Sequence, residues 1–262
     1  MDEQWATGDA YEAFMGRWSR RIAEHFIRWL GPEPGLTWLD IGCGTGALTS
    51  AICSLADPSS VVACDPSEPF VAYTRRLIPD PRVSVVVAGT GNLPENPGGF
   101  DWVVSGLVLN FLPDPRQSVG DMRARARSGG VVAGYVWDYA GGMEFLRLFW
   151  DEAAALDPAA QDLDEGVRFP MCRPDVLESI FRDSGSRDVK SDAVEIPTHF
   201  DSFSDFWQPF LGGTGPAPSY LASLSEERRS ELRSRLERRL APGPEGAIDL
   251  VARAWAVRST AP

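Results

Sequence analysis

The sequence predicts a doubly wound α/β fold: a seven-stranded, mostly parallel sheet with helices on both faces. Three observations predict it. Strands and helices alternate from Thr37 to Trp137, the strands read as short, continuously apolar runs, and the segments between most of them carry helical spacing. Right-handed crossovers leave few other topologies.

In chain order, Ile22, Phe26, Ile27, Trp29 and Leu30 recur at helical spacing, which predicts a helix over Ser19 to Leu30 with Ser19 as N-cap and Gly31 just beyond its end. The run Gly31-Pro32-Glu33-Pro34-Gly35 breaks that pattern. Thr37 to Ile41 then reads as a buried strand, followed by strands at Val61 to Asp65, Val83 to Ala88, Asp101 to Ser105 and Gly130 to Trp137. Helices are expected at Ala47 to Ala56, Glu68 to Leu77 and Gln117 to Ala126. Further helices fall near Met143 to Leu156 and Asp175 to Asp183, where Pro174 suits a first turn and Gly185 an end. Two last strands, Asp188 to Ile196 and Ala247 to Val257, flank an insertion. It holds Phe200, Phe203, Phe206, Trp207 and Phe210, a loop at Gly212 to Pro218 with the composition of a mobile lid or a plain connector, and an amphipathic helix near Ser225 to Leu240.

Of the 262 residues, 44% are hydrophobic and 24% charged, which fits an ordinary globular protein and argues against disorder. With 25 Lys and Arg against 37 Asp and Glu the net charge is −12, which repels a phosphate backbone. Arg123, Arg125 and Arg127, and the arginines from Arg228 to Arg239, alternate or mix with acids, as solvated helix faces do. No run is long enough to span a membrane, and Met1 to Asp9 is polar and acidic, so a cytoplasmic protein is expected. Cys43, Cys53, Cys64 and Cys172 form no C-x-x-C pair and no metal-ligand spacing, so reduced structural thiols and no metal are expected.

The segment Asp40-Ile41-Gly42-Cys43-Gly44-Thr45-Gly46 follows a strand and opens a helix. Glycines there let backbone approach a ligand and adopt dihedrals that side chains forbid. The first N–H groups of the next helix then face an anion. Asp65, at the tip of the second strand, is placed to accept hydrogen bonds from ribose hydroxyls. The glycine spacing alone also fits a looser dinucleotide pattern.

An acid two residues before the first glycine, the Gly-x-Gly-x-Gly run and Asp65 together resemble the class I S-adenosylmethionine-dependent methyltransferase family of small-molecule type. The likeness covers roughly Tyr11 to Asp138. It implies S-adenosylmethionine as cofactor, with Asp40, Gly42, Cys43, Gly44 and Gly46 at its methionine end and Asp65 and Pro66 at its ribose. It also implies an adenine-contacting turn at Thr90, Gly91 and Asn92, where Thr90 replaces the family's common aspartate. Phe100 to Ser105 resembles the family's fourth strand, after which Gly106 to Leu109 would line the methionine end, with Ser105 and Leu107 as cofactor-binding candidates. Tyr11 to Ser19 looks like an N-terminal lid, in which Tyr11 covers the sulfonium, Arg17 pairs with the carboxylate and Trp18 contributes, or whose aromatics simply staple the first helix. On this reading residues 1–262 form a single domain, with the lid at 1–35, a cofactor-binding core at 36–138 and substrate-side elements at 139–262.

Methyl transfer gains much from holding donor and acceptor in line, so a general base helps without being required. Its candidates are Asp138, after the fifth strand, and His199, beside the aromatic insertion. Asp138 can equally cap a helix and His199 can be an ordinary loop residue. The aromatics Trp137, Tyr139, Phe145, Phe149 and Trp150, with those from Phe200 to Phe210, suggest a small, moderately apolar acceptor, with O-, N- and C-methylation open. Asn110-Phe111-Leu112-Pro113 stands where nucleic-acid amino-methyltransferases carry an Asn/Asp-Pro-Pro-aromatic tetrad. A non-catalytic S-adenosylmethionine-binding protein is the chief alternative, followed by a nicotinamide oxidoreductase, for which no Tyr-x-x-x-Lys is present. Oligomeric state is open.

Overall fold

A computed structural model describes residues 12–212, 215–240 and 246–262. Its seven strands are β1 (Thr37–Ile41), β2 (Ser60–Asp65), β3 (Val83–Val87), β4 (Phe100–Gly106), β5 (Ala126–Trp137), β6 (Arg187–Phe200) and β7 (Ile248–Thr260). They form one sheet in the order β3-β2-β1-β4-β5-β7-β6. The pairs among β1 to β5 are parallel, and β1 lies between β2 and β4, with Asp40 opposite Ala63 on one side and Val104 on the other. Strand β7 runs antiparallel to β5: the Gly129 N–H reaches the Ala261 carbonyl, and further along the Asp138 N–H reaches that of Arg253. The sheet is therefore mixed, as an insertion between the last two strands permits.

Because the sheet order reverses at β1, its carboxyl end is a switch point, the place where open α/β sheets bind ligands. Asp40 and the glycine run sit there.

The described residues fall into two compact units, each assembled from separated stretches of chain. The larger comprises Ser19–Val136, Met171–Val194 and Ala254–Pro262. Its interior stacks Trp38 on Trp102 at 4.9 Å between ring centroids, and packs Phe26 of the helix Arg17–Leu30 on Tyr135 at 4.5 Å. Buried Val103, Val104 and Val132 complete strands that are apolar on both faces, as parallel central strands must be. The smaller unit comprises the described residues up to Trp18, with Trp137–Pro170 and Glu195–Arg253. Its interior is aromatic, with Phe149 stacked on Phe210 at 4.6 Å and Phe206 set between Phe200 and Phe210.

Some boundaries differ from expectation for local reasons. The first helix begins at Arg17, continuing a π-helical turn at Glu12–Gly16, so Ser19 is buried inside it and does not stand at its start. Strand β6 runs on to Phe200, which places His199 within a strand. Pro216 opens a helix, Pro216–Ser223, that shortens the expected Gly/Pro loop. Among the described residues no helix is long and apolar enough to cross a membrane.

Candidate cofactor site

The loop between β1 and the helix Ala47–Leu55 is held by its own backbone. The Gly42 and Cys43 N–H groups both donate to the Cys64 carbonyl at 2.8 and 3.0 Å, and the Gly46 N–H donates to that of Cys43 at 2.8 Å. Gly42 and Gly46 have φ of 74° and 85°, and each is also hemmed in: a Cβ on Gly42 would lie 2.6 Å from Val108 Cγ2, and one on Gly46 2.9 Å from Ile78 Cδ1. A Cβ on Gly44 would meet nothing within 4 Å. Two glycines are thus needed for packing, and the middle one leaves an open face.

Asp65 clasps this loop from β2. Its Oδ2 accepts the Gly44 N–H at 3.0 Å and its Oδ1 the Ser67 N–H at 2.9 Å. The Thr74 hydroxyl adds a bond to the Gly44 carbonyl at 2.7 Å. Burial pushes the Asp65 carboxyl above its ordinary range, opposed by the Ser67 and Gly44 N–H groups. Two lone pairs of the carboxylate are used and the remainder can still accept donors.

Asp40 is fully buried. Its Oδ2 accepts from the Thr49 hydroxyl at 2.6 Å, while its Oδ1 has no partner. Burial pushes this carboxyl up to about 7, the Thr49 hydroxyl pulls it down, the negative charge of Asp65 raises it further, and the Thr49 N–H lowers it again. A buried polar atom left unpaired costs about 1–3 kcal/mol and calls for an explanation. Thr49 was not evident as a site residue; its signal is the one hydroxyl among the buried positions of the helix start, Leu48, Thr49, Ala51 and Ile52.

The remaining candidates of the larger unit lie at the same strand ends. The Ser105 hydroxyl is spent on the Ile41 carbonyl at 2.9 Å, tying β4 to the end of β1. Leu107 holds a left-handed φ of 61°, its N–H bonded to the Tyr135 carbonyl at 2.8 Å. That conformation costs a non-glycine residue about 1–2 kcal/mol, and such strain concentrates at functional sites. Thr90, Gly91 and Asn92 form an exposed turn closed by the Gly89 N–H donating to Asn92 Oδ1 at 2.9 Å. Gly89 abuts Pro66, since a Cβ there would lie 3.4 Å from Pro66 Cβ. The Cys43 thiol is buried, and burial beside Asp40 and Asp65 pushes it far up, so it stays protonated. The structure thus brings together Asp40, the glycine loop, Asp65, Pro66, the Thr90 turn, Ser105 and Leu107.

Arg17, Trp18, Asp138 and His199 belong to the smaller unit, and Tyr11 lies outside the described residues. Arg17 Nη1 donates to both carboxylate oxygens of Asp205 at 3.2 and 3.3 Å, with the guanidinium over the Trp18 and Phe200 rings. Trp18 is itself buried against Phe200. Asp138 accepts from Arg253 Nε and Nη2 at 2.8 and 2.7 Å and from the Gly141 N–H at 3.1 Å. Exposed His199 meets Asp249 through Nδ1 at 2.6 Å and Asp201 through Nε2 at 3.2 Å, and the Asp249 hydrogen bond, then Asp201, raises its pKa. Sequence reasoning also passed over Glu165, a buried acid that accepts from Trp150 Nε1.

Residues 39–134 match a methyltransferase domain family. Over 140 residues the chain is 32% identical to an uncharacterized 37.1 kDa transposon protein of Streptomyces fradiae, covering 52% of this chain and 38% of that one. Over 104 residues it is 31% identical to the demethylmenaquinone methyltransferase of Shouchella clausii, covering 38% and 44%. The chain spans less than half the length of these curated relatives. Among solved structures, a phosphoethanolamine N-methyltransferase of Haemonchus contortus, in complex with phosphomonomethylethanolamine and S-adenosylhomocysteine, superposes with a TM-score of 0.58 at 17% identity, covering 97% of this chain and 57% of that one. The fold is that of the class I S-adenosylmethionine-dependent methyltransferases.

Proposed function

We propose that the protein transfers a methyl group from S-adenosylmethionine to a small, moderately apolar molecule. The observation that carries this reading is the glycine loop built beside a buried carboxylate with one oxygen unsatisfied. That arrangement fits a ligand carrying both an ammonium and a nucleoside. Asp40 would hold the ammonium, the loop and the helix after it the carboxylate, Asp65 the ribose hydroxyls, and the turn at Thr90 the adenine. When bound, the cofactor supplies a methyl group on a sulfonium, an electrophile that needs in-line placement more than proton transfer. The chain's own part is to bind, orient and keep water out.

A small acceptor is supported by the net charge of −12, which disfavours nucleic acid, and by the name of the Shouchella relative. Fold likeness does not choose the acceptor atom. A second reading, a protein that binds the cofactor without transferring its methyl group, is favoured by the state of the two base candidates: Arg253 engages Asp138, and two aspartates engage His199. Calorimetric titration with S-adenosylmethionine, S-adenosylhomocysteine and NAD, on wild type and Asp65→Ala, tests the site. Binding of the first two, weakened about tenfold or more by the substitution and with no NAD signal, is the expected result, since hydrogen bonds to charged groups contribute about 1.5–3 kcal/mol. Binding of NAD alone would overturn the reading. A screen of apolar phenols and amines for methyl transfer then separates enzyme from binding protein.

A further inference from the structure

Thr49 and Asp40 are buried together, and the geometry of the pair is one-sided. Oδ2 of Asp40 is committed to the Thr49 hydroxyl at 2.6 Å, and Oδ1 is committed to nothing. The Thr49 N–H also lies close enough to pull the Asp40 carboxyl down, yet Oδ1 has no hydrogen-bond partner, and the strand neighbours on both sides, Ala63 and Val104, are apolar and offer it no side-chain donor. A structural acid would have both oxygens paired. An acid kept for an incoming cation would have one.

We propose that Thr49 is a positioning residue for ligand capture: by donating to Oδ2 it holds the Asp40 carboxylate with Oδ1 free for a ligand ammonium, so that capture requires the ionised carboxylate and expels a proton. This rests on the cofactor reading above and extends it to a residue outside the glycine motif and to a pH dependence.

The surroundings set the sign. The groups that face Asp40 are acids and thiols: Asp65 and Cys64 from β2, Cys43 from the loop and Cys53 from the helix Ala47–Leu55. Burial holds the Cys64 thiol up at about 12 and Cys53 at about 11, so both are neutral across the working range. The ionised charge acting on Asp40 is that of Asp65, and it disfavours ionisation. With Asp40 near 7, roughly one molecule in eleven has the carboxylate ready at pH 6 and roughly ten in eleven at pH 8. An ammonium that binds only the ionised form therefore gains about tenfold in affinity between those values. Removing the Thr49 hydroxyl takes away a group that lowers the pKa, and moves the transition to higher pH.

The probe is S-adenosylhomocysteine, whose amino group stays protonated across this range, with methylthioadenosine as the matching nucleoside that lacks the amino-acid end. Each is titrated by calorimetry at pH 6, 7 and 8, in two buffers of different ionisation enthalpy, against wild type, Thr49→Val and Thr49→Ser. Wild type should bind S-adenosylhomocysteine about tenfold more tightly at pH 8 than at pH 6, releasing close to one proton near pH 6, while methylthioadenosine shows no such slope. Thr49→Val should lose several-fold affinity for S-adenosylhomocysteine alone at pH 7, and Thr49→Ser should restore it. A wild-type affinity that is flat with pH while methylthioadenosine binds would overturn the proposal and leave the cofactor reading standing. Failure of wild type to bind either nucleoside would remove both. If Thr49→Val does not fold, the wild-type slope and proton count still decide.

Discussion

The two compact units use their buried acids differently. In the larger one, Asp40 keeps an oxygen unpaired and Asp65 spends its bonds on the backbone of the loop it frames. In the smaller one, Asp138 is matched with Arg253 and Asp164 with Arg147, while Glu165 accepts from the Trp150 indole. Shape follows the same division, since the loop at Gly42 to Gly46 is built from main chain, and the interior of the smaller unit from phenylalanine and tryptophan rings. The contrast teaches where to look for chemistry. An unsatisfied buried acid marks readiness for a ligand, whereas a carboxylate already held by a guanidinium is structure first.

Substitutions can break or sharpen that contrast. The largest effect is expected at the aromatic interior: Phe149→Ala should cost about 3–5 kcal/mol in denaturant unfolding, by opening a cavity beside Phe210. In the loop, Gly42→Ala should cost about 2–4 kcal/mol, from the clash with Val108 and the left-handed φ together, and should abolish nucleoside binding in whatever fraction still folds. Asp138→Asn should cost about 1–3 kcal/mol in thermal unfolding, because Arg253 loses the charged oxygen that accepts from both its Nε and its Nη2, and should leave S-adenosylhomocysteine affinity unchanged. A variant that kept its stability and lost only methyl transfer would make Asp138 catalytic and dissolve the contrast. The smallest effect belongs to His199. Its pKa is raised above the ordinary 6.5 by Asp249 and Asp201, so the pair's contribution is full below 6.5 and is lost as pH rises through the folded value. Its imidazole titration, followed by NMR, should fall back toward 6.5 in Asp249→Asn.

Asp40 also sets a stability gradient opposite to that of a salt-bridged acid. Its folded pKa lies above its ordinary 3.8, so the free protein should lose stability as pH rises from about 4 to about 7. Comparing unfolding at pH 5.5 and pH 8 in wild type and Asp40→Asn checks this, because the substitution should flatten that part of the slope.

Much of this fold was legible because its signals are local. Strand β1, the helix Ala47–Leu55 and the helix Glu68–Leu77 carry period and punctuation within their own residues, and the glycine loop declares itself in seven positions. What was not legible depends on distance along the chain. Nothing near Arg17 foretells Asp205, and nothing near Asp138 foretells Arg253, 115 residues later. Ser19 illustrates a different limit: it has the chemistry of a cap, but the helix entered from Glu12–Gly16 had already begun. Thr49 looked like an ordinary helix residue because an unsatisfied oxygen is a property of burial, which sequence does not print.

The discontinuity of the two units bears on how the chain acquires its structure during synthesis. The larger unit draws its final segment from Ala254–Pro262, and the Gly129 and Ala261 N–H groups close the ladder beside the start of β5. A nascent chain paused after β5 holds the glycine loop and five parallel strands with no partner for the far side of that sheet, which leaves an apolar edge open to misassociation. Synthesis of β7, more than a hundred positions later, therefore governs when this edge of the sheet is sealed, and a fragment cut at Trp137 should be held by chaperones where a chain that includes β7 is not.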